Sequence, residues 1–209
     1  MKILNLYAGI GGNRKLWGGA EVTAVEYKPE IAAMYKDFFP DDEVIIADAH
    51  QYLLEHFHEY DFIWSSPPCP SHSSVRFIAM YSKEGKLRQK PVYPDMKLYE
   101  EILLLENYFR GRYVVENVIS FYDPLIPPQR LGGHYFWLNF FVPDTYTEPT
   151  RQHYGSIEQL QQRKGFDLSE YPLTKHAQRL ALRNCVEPEL GKWIFDYAVN
   201  PIKKQVELV

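Results

Sequence analysis

Lys2-Ile3-Leu4-Asn5-Leu6-Tyr7-Ala8-Gly9-Ile10-Gly11-Gly12 decides the architecture of this chain. Lys2 to Tyr7 is a short apolar run that reads as a buried strand, and glycines break it at once. Asn13 to Trp17 is expected to open a helix. Glu21 to Val25 is the next β-branched run and ends in Glu26. Pro29 to Phe38 has helical spacing, with Pro29 admissible in the first turn. Glu43 to Ala47 predicts a third strand, followed by Asp48, and Tyr52 to Phe57 a short helix. Phe62-Ile63-Trp64, inside the apolar run that begins at Tyr60, predicts a fourth strand. This alternation implies an α/β fold, doubly wound around a mostly parallel sheet.

Further along, Ser71 to Pro94 is polar and basic and reads as a long loop, a feature that compact domains usually keep for function. Asp95 to Phe109 predicts a helix that Asp95 can cap, with Leu98, Ile102, Leu105 and Tyr108 on one face. Tyr113-Val114-Val115 is a buried strand leading into Glu116-Asn117-Val118. His134 to Val142, after Gly132-Gly133, fits a strand or hairpin. Ile157 to Lys164 is a polar helix. Pro188 to Val199 is a final helix whose Leu190, Ile194 and Tyr197 can pack on the sheet.

With 209 residues, 45% of them hydrophobic, the chain suits one globular domain spanning 1–209. No apolar run reaches membrane-spanning length and no leader precedes the first strand, so the expected location is cytoplasmic, with no membrane partner. Cys69 and Cys185 are too few for a disulfide framework and suit a reducing compartment. The Cys/His spacing of a zinc site is absent, and no metal is expected. A net charge of -4 by itself argues against a nucleic-acid partner. Two segments are nonetheless basic: Arg76, Lys83, Lys86, Arg88, Lys90 and Lys97 in the first, Arg151, Arg163, Lys164, Lys175, Arg179 and Arg183 in the second. Either can grip phosphates locally.

Three strand ends carry the chemistry of a cofactor pocket. The glycine loop lets a backbone approach a ligand and offers N–H groups. Glu26 stands where an acid binds ribose hydroxyls in such folds. Asp48 can accept from an adenine amine. Together they point to an adenosine cofactor. Ser66-Pro67-Pro68-Cys69-Pro70 follows the fourth strand. Two prolines stiffen the exit and present Cys69 at the carboxyl end of the sheet as a candidate nucleophile. Glu116, after the next core strand, points into the same crevice, where partial burial suits a proton donor.

The order of these pieces resembles the DNA cytosine-C5 methyltransferases: Gly9-Ile10-Gly11-Gly12, Pro67-Pro68-Cys69, Glu116-Asn117-Val118, Gln129-Arg130, and the late Arg183-Asn184-Cys185-Val186-Glu187-Pro188. The resemblance implies a Rossmann-like, S-adenosyl-L-methionine-dependent fold acting on a cytosine flipped out of double-stranded DNA. Cys69 would attack C6, Glu116 would bond N3 and the exocyclic amine, and Asn117 would orient the loop. The cofactor pocket implied comprises Tyr7, Ala8, Gly9, Ile10, Gly11, Gly12, Glu26, Tyr27, Asp48, Ala49, Pro67, Asn184 and Val186.

Departures are also visible. Pro70 stands where the family usually has Gln. The usual two arginines are reduced to Arg130, with His134 a candidate for the second place. The usual recognition region shrinks to an insert over 143–182, so sequence reading falls to that insert, to the Ser71–Pro94 loop or to a protein partner. This compact form resembles enzymes of phages and mobile elements, and implies a bacterial, archaeal or phage-infected cell and a monomer. Three other readings stay open: the same chemistry on tRNA, an amino-methyltransferase, against which Cys69 and Glu116 argue, and a non-catalytic module that binds cofactor or DNA.

Overall fold

The computed structural model describes residues 1–82, 85–88, 90, 92–147 and 155–200. Among the described residues, seven strands form one sheet in the order β3-β2-β1-β4-β5-β7-β6. They are β1 (Lys2–Leu6), β2 (Glu21–Glu26), β3 (Glu43–Ile46), β4 (Phe62–Ser65), β5 (Arg112–Val118), β6 (Gln129–Leu131) and β7 (His134–Leu138). The first five run parallel, and β7 and β6 close the far edge antiparallel. The central strands are apolar without alternation because both faces are covered. All four residues of β4 are buried, as are the last four of β1.

One face is covered by α2 (Ala49–His56) and α4 (Lys97–Tyr108). Leu53, Leu98, Ile102 and Leu105 meet Leu4, Leu6, Ile63 and Val115 there. The other face is covered by α7 (Pro188–Val199), whose Leu190, Ile194 and Phe195 pack on Ile3, Phe62, Trp64 and Val114. Beside it lies α1 (Pro29–Phe38), with Tyr35 against Ala8 and Ala24. The late helices α5 (Ile157–Lys164) and α6 (Lys175–Asn184) join α1 in a further core of Ile10, Met34, Leu160, Phe166, Leu168, Leu182 and Cys185. The insert is therefore packed against the body through the residue in the middle of the glycine loop.

Strand order runs outward from β1 in one direction through β2 and β3, and in the other through β4 and β5. The switch between β1 and β4 opens a crevice at their carboxyl ends, where such folds bind ligands. The glycine loop and Cys69 leave from those two strands.

The structure corrects several local expectations. Asn13 to Trp17 forms turns rather than a helix. Its backbone bonds are short-range, Lys15 N to Gly12 O at 3.4 Å and Trp17 N to Arg14 O at 3.0 Å. Side chains hold it open. Asn13 donates to Asn5 at 2.7 Å, Arg14 pairs with Asp42 at 2.9 Å, and Trp17 stacks on Phe195 at 4.8 Å. No helix N-terminus therefore stands behind the glycine loop. The Ser71–Pro94 stretch contains a short helix, α3 (Ser74–Ala79), and a bridge between Tyr81 and Leu87. In α4, Tyr108 is 70% exposed, and the buried stripe is completed by Tyr99 and Glu101. Asp95 accepts from Lys97 N at 3.1 Å, but Met96 occupies the cap position. Helix α6, mostly polar with Leu182 buried, is an element that the sequence reading above lacks, although its apolar residues recur at helical spacing.

Candidate active site

Three loops at the carboxyl edge build the site. The first follows β1. Tyr7 takes φ 54°, a left-handed conformation rare for a side chain of this size, and turns the chain out of the sheet. Gly9 has φ 56°, and a Cβ there would meet nothing within 4 Å. Gly11 and Gly12 serve another end. A Cβ on Gly11 would lie 2.2 Å from the Phe39 ring, and one on Gly12 2.2 Å from Cys185 Sγ. Of the three loop glycines, Gly9 alone faces open space. Ala8 and Ile10 are buried, so they offer backbone rather than side chains.

Glu26, the last residue of β2, reaches this loop. Its carboxylate accepts from Gly9 N and Lys28 N, each at 3.0 Å. Asp48, after β3, caps α2 by accepting from Gln51 N at 3.0 Å, and its other oxygen lies 4.0 Å from Lys97 Nζ. The Gln51 N–H and, more distantly, Lys97 hold the Asp48 carboxyl below its usual range. Tyr27 is 73% exposed, while Ala49 is buried. At the late motif, Cys185 and Val186 touch Gly12, whereas Asn184 is exposed at the end of α6.

Cys69 is half-buried after β4. Its thiol is pushed above its ordinary pKa, first by burial and then by the negative charge of Glu116. Glu116 lies within β5 and is 8% exposed. Asn117 donates from Nδ2 to the Pro67 carbonyl at 3.0 Å, tying β5 to the residue two before the thiol. Both strands thus present their groups to one crevice, and the thiol and the carboxylate feel each other.

Register separates Arg130 from His134. Phe136 pairs with Glu116, so His134, two residues away on β7, shares its face. His134 Nε2 lies 3.9 Å from Glu116 Oε1, and its Nδ1 is 3.2 Å from Gly132 O. Arg130 pairs with Tyr135 in the row of Asn117, on the opposite face, and is exposed. His134 is the residue brought to Glu116. Of the basic residues that could grip phosphate, Lys83 and Arg151 lie outside the described residues, and Arg163 is engaged by Glu187 at 2.8 Å.

Sequence reasoning missed a buried hub beneath the crevice. Glu101 of α4 is 0% exposed and accepts from Tyr7 OH at 2.6 Å and Ser65 Oγ at 2.6 Å, with His50 Nδ1 at 3.0 Å. It joins the loop after β1, the end of β4 and the start of α2. Its bond with Glu101 is the main influence raising the pKa of His50. The signal was present: Glu101 falls at i+3 in the apolar series Leu98, Ile102, Leu105, where a carboxylate needs buried donors.

With this geometry established, residues 1–89 match the family of C-5 cytosine-specific DNA methylases. The match takes in the glycine loop, Glu26, Asp48 and Pro67-Pro68-Cys69, and stops before Glu116. No curated protein matches the sequence. Among solved structures, a methyltransferase of Entamoeba histolytica, EhMeth, has the same fold, with a TM-score of 0.59 at 11% identity over 98% of this chain and 99% of that one. A DNMT2 of Spodoptera frugiperda is 25% identical over 56% of this chain and 35% of its own, with a TM-score of 0.36. A SAM-dependent methyltransferase of Agrobacterium tumefaciens is 17% identical over 59% of this chain and 40% of its own, with a TM-score of 0.40. No helix among the described residues is long and apolar enough to cross a membrane.

Proposed function

Starting from a chain whose first 89 residues carry the C-5 cytosine-specific DNA methylase pattern, we propose that it methylates C5 of a cytosine flipped out of DNA, with Cys69 as nucleophile. The observation that supports this reading is the tie between the Cys69 loop and the strand of Glu116: β4 and β5 pair in parallel, and Asn117, next to Glu116, donates to the Pro67 carbonyl at 3.0 Å.

The chain fits S-adenosyl-L-methionine. Gly9 leaves space for a ligand against its backbone, Glu26 ends β2, and Asp48 follows β3 as the cap of α2 on the same edge. Glu26 would accept from the ribose hydroxyls, Asp48 from the adenine amine, and the Tyr27 ring lies exposed beside them. Bound there, the cofactor supplies an electrophilic methyl group on a sulfonium.

The residues of the chain do the rest. Cys69, as thiolate, adds to C6 and forms an S–C6 bond. The displaced π electrons move toward N3 and C5, and Glu116 delivers its proton to N3, so no net charge accumulates on the ring. After C5 is alkylated, a base takes the C5 proton, the C5–H electrons form the C5=C6 double bond, the S–C6 pair leaves with the Cys69 thiolate, and N3 returns its proton to Glu116. His134 faces Glu116 where the family's second arginine would act. Asn117 holds the Pro67 carbonyl and with it the thiol's approach.

Helices α5 and α6 pack one face on α1 and the glycine loop, and contact with bases is assigned to the rest of the insert, to the loop after Cys69 or to a partner protein. Mass spectrometry of nucleosides from DNA and tRNA of cells expressing the chain tests the proposal. The expected product is 5-methylcytosine in DNA, absent with Cys69→Ser. Methylation confined to tRNA would replace the substrate, and an exocyclic N-methyl product would overturn the mechanism.

A further inference from the structure

Just beyond Cys69 the chain is fastened to the exit of β5. Ser73 and Ser120 form an antiparallel bridge, and Phe121 N donates to the His72 carbonyl at 3.1 Å. The turn itself is closed by His72 N and Ser73 N, which donate to Cys69 O at 3.0 and 3.1 Å. At its centre His72 is 1% exposed, with Nδ1 2.6 Å from the Tyr122 hydroxyl.

The donors settle the protonation of this ring. Leu125 N donates to the Tyr99 hydroxyl at 3.2 Å, and Tyr99 donates to the Tyr122 oxygen at 3.4 Å. Tyr122 is left with its own proton, which goes to His72 Nδ1. The imidazole is then an acceptor at Nδ1 and carries its hydrogen on Nε2. Burial lowers the pKa of His72, and the Asp95 side chain and backbone oppose this only in part, so the neutral form is the one held. Nε2 is buried without a hydrogen bond of normal geometry. Among the described residues, the ring's hydrogen bond of normal geometry is the one from Tyr122 to Nδ1.

We infer that His72 is a positioning residue: by accepting from Tyr122 it fixes the Cys69 turn against the strand that carries Glu116. The functional half of this inference rests on the reading of Cys69 as nucleophile. Its physical content is that the thiol's place relative to Glu116 depends on a hydroxyl 53 residues away in sequence, and not on the two prolines alone.

The test uses Tyr122→Phe, which removes one oxygen, together with His72→Leu and His72→Asn, the last placing an amide oxygen near the position of Nδ1. Amide hydrogen exchange is read at His72, Ser73 and Phe121. Covalent trapping by a 5-fluorocytosine duplex and calorimetric cofactor affinity are read on the same samples. In Tyr122→Phe and His72→Leu, exchange should quicken and trapping should slow, each by about tenfold, the factor expected for one lost hydrogen bond. Cofactor affinity should not move, and His72→Asn should recover most of both effects. Unchanged exchange in Tyr122→Phe overturns the inference, and so does faster exchange with undiminished trapping. If the unaltered chain traps no cytosine substrate at all, the proposed function fails separately. The exchange rates then decide alone whether His72 anchors the turn.

Discussion

Gly12 and Cys185 lie so close that a single added carbon on the glycine would sit 2.2 Å from Sγ and 2.4 Å from the Val186 carbonyl. The loop at the start of the chain and the segment between its last two helices are thus in backbone contact. Gly191 repeats the theme, since a Cβ there would stand 2.5 Å from Asn13 O. The late motif closes the glycine loop through steric fit.

Gly12→Ala is accordingly expected to destabilise the chain by about 3 kcal/mol, the upper range for forcing atoms into a packed site. Gly9→Ala meets no atom and suffers only its left-handed φ, a cost of about 1–2 kcal/mol. Its larger effect should be on cofactor affinity. Thermal unfolding and calorimetry on both variants check this. Equal stability losses would contradict the division of labour among the glycines.

Cys69→Ser should lower methyl transfer by about four orders of magnitude or more, as when other covalent nucleophiles are removed. Cofactor affinity should survive, because the thiol faces the base and not the adenosine. Activity above a few per cent of the unaltered chain would remove Cys69 from its assigned role.

Because burial and Glu116 both raise the Cys69 pKa, the thiol is mostly protonated near neutral pH. Its alkylation by iodoacetamide should keep accelerating as pH rises past the ordinary thiol range. Glu116→Gln removes the like charge, lowers the pKa, and should speed alkylation at a fixed pH near 8. Mass spectrometry can follow Cys69 separately from Cys185, whose thiol burial drives up to about 11. A slower reaction in Glu116→Gln would break the coupling between the two groups.

Glu26→Ala and Asp48→Asn should each weaken cofactor binding, by about 1–3 kcal/mol if a charge-assisted bond is lost. Asparagine is chosen at Asp48 because it still caps α2, so stability stays within a few tenths of a kcal/mol. Dissociation constants measured by calorimetry decide; unchanged values in both would place the adenosine elsewhere.

Glu101→Gln should cost about 2–3 kcal/mol, because an amide cannot accept three buried donors. For a chain of this size that is a fall in Tm of about 4–12 °C. His50 adds a pH signature. Its folded pKa is raised, so its contribution is complete below the unfolded histidine pKa and is lost as pH rises through the folded one. The gap in Tm between the two proteins should therefore be widest in mild acid and narrow with rising pH. A gap independent of pH would detach His50 from the hub.

Sequence by itself determined the parallel core strands and the order in which glycine loop, Glu26, Asp48, Cys69 and Glu116 arrive at one edge. Strands buried on both faces are continuous apolar runs, and the glycines and prolines that stop them are local, legible signals. Tertiary structure alone decided the rest. Whether His134 or Arg130 faces Glu116 depends on strand register, where one residue reverses the face. The Asn13–Trp17 turns depend on Asn5, Asp42 and Phe195 drawing three neighbouring side chains in different directions. The Glu101 hub and the His72–Tyr122 tether join residues far apart in the chain, and no local propensity encodes such pairings. They exist because buried polar atoms must find partners, and only the packed chain brings those partners within reach.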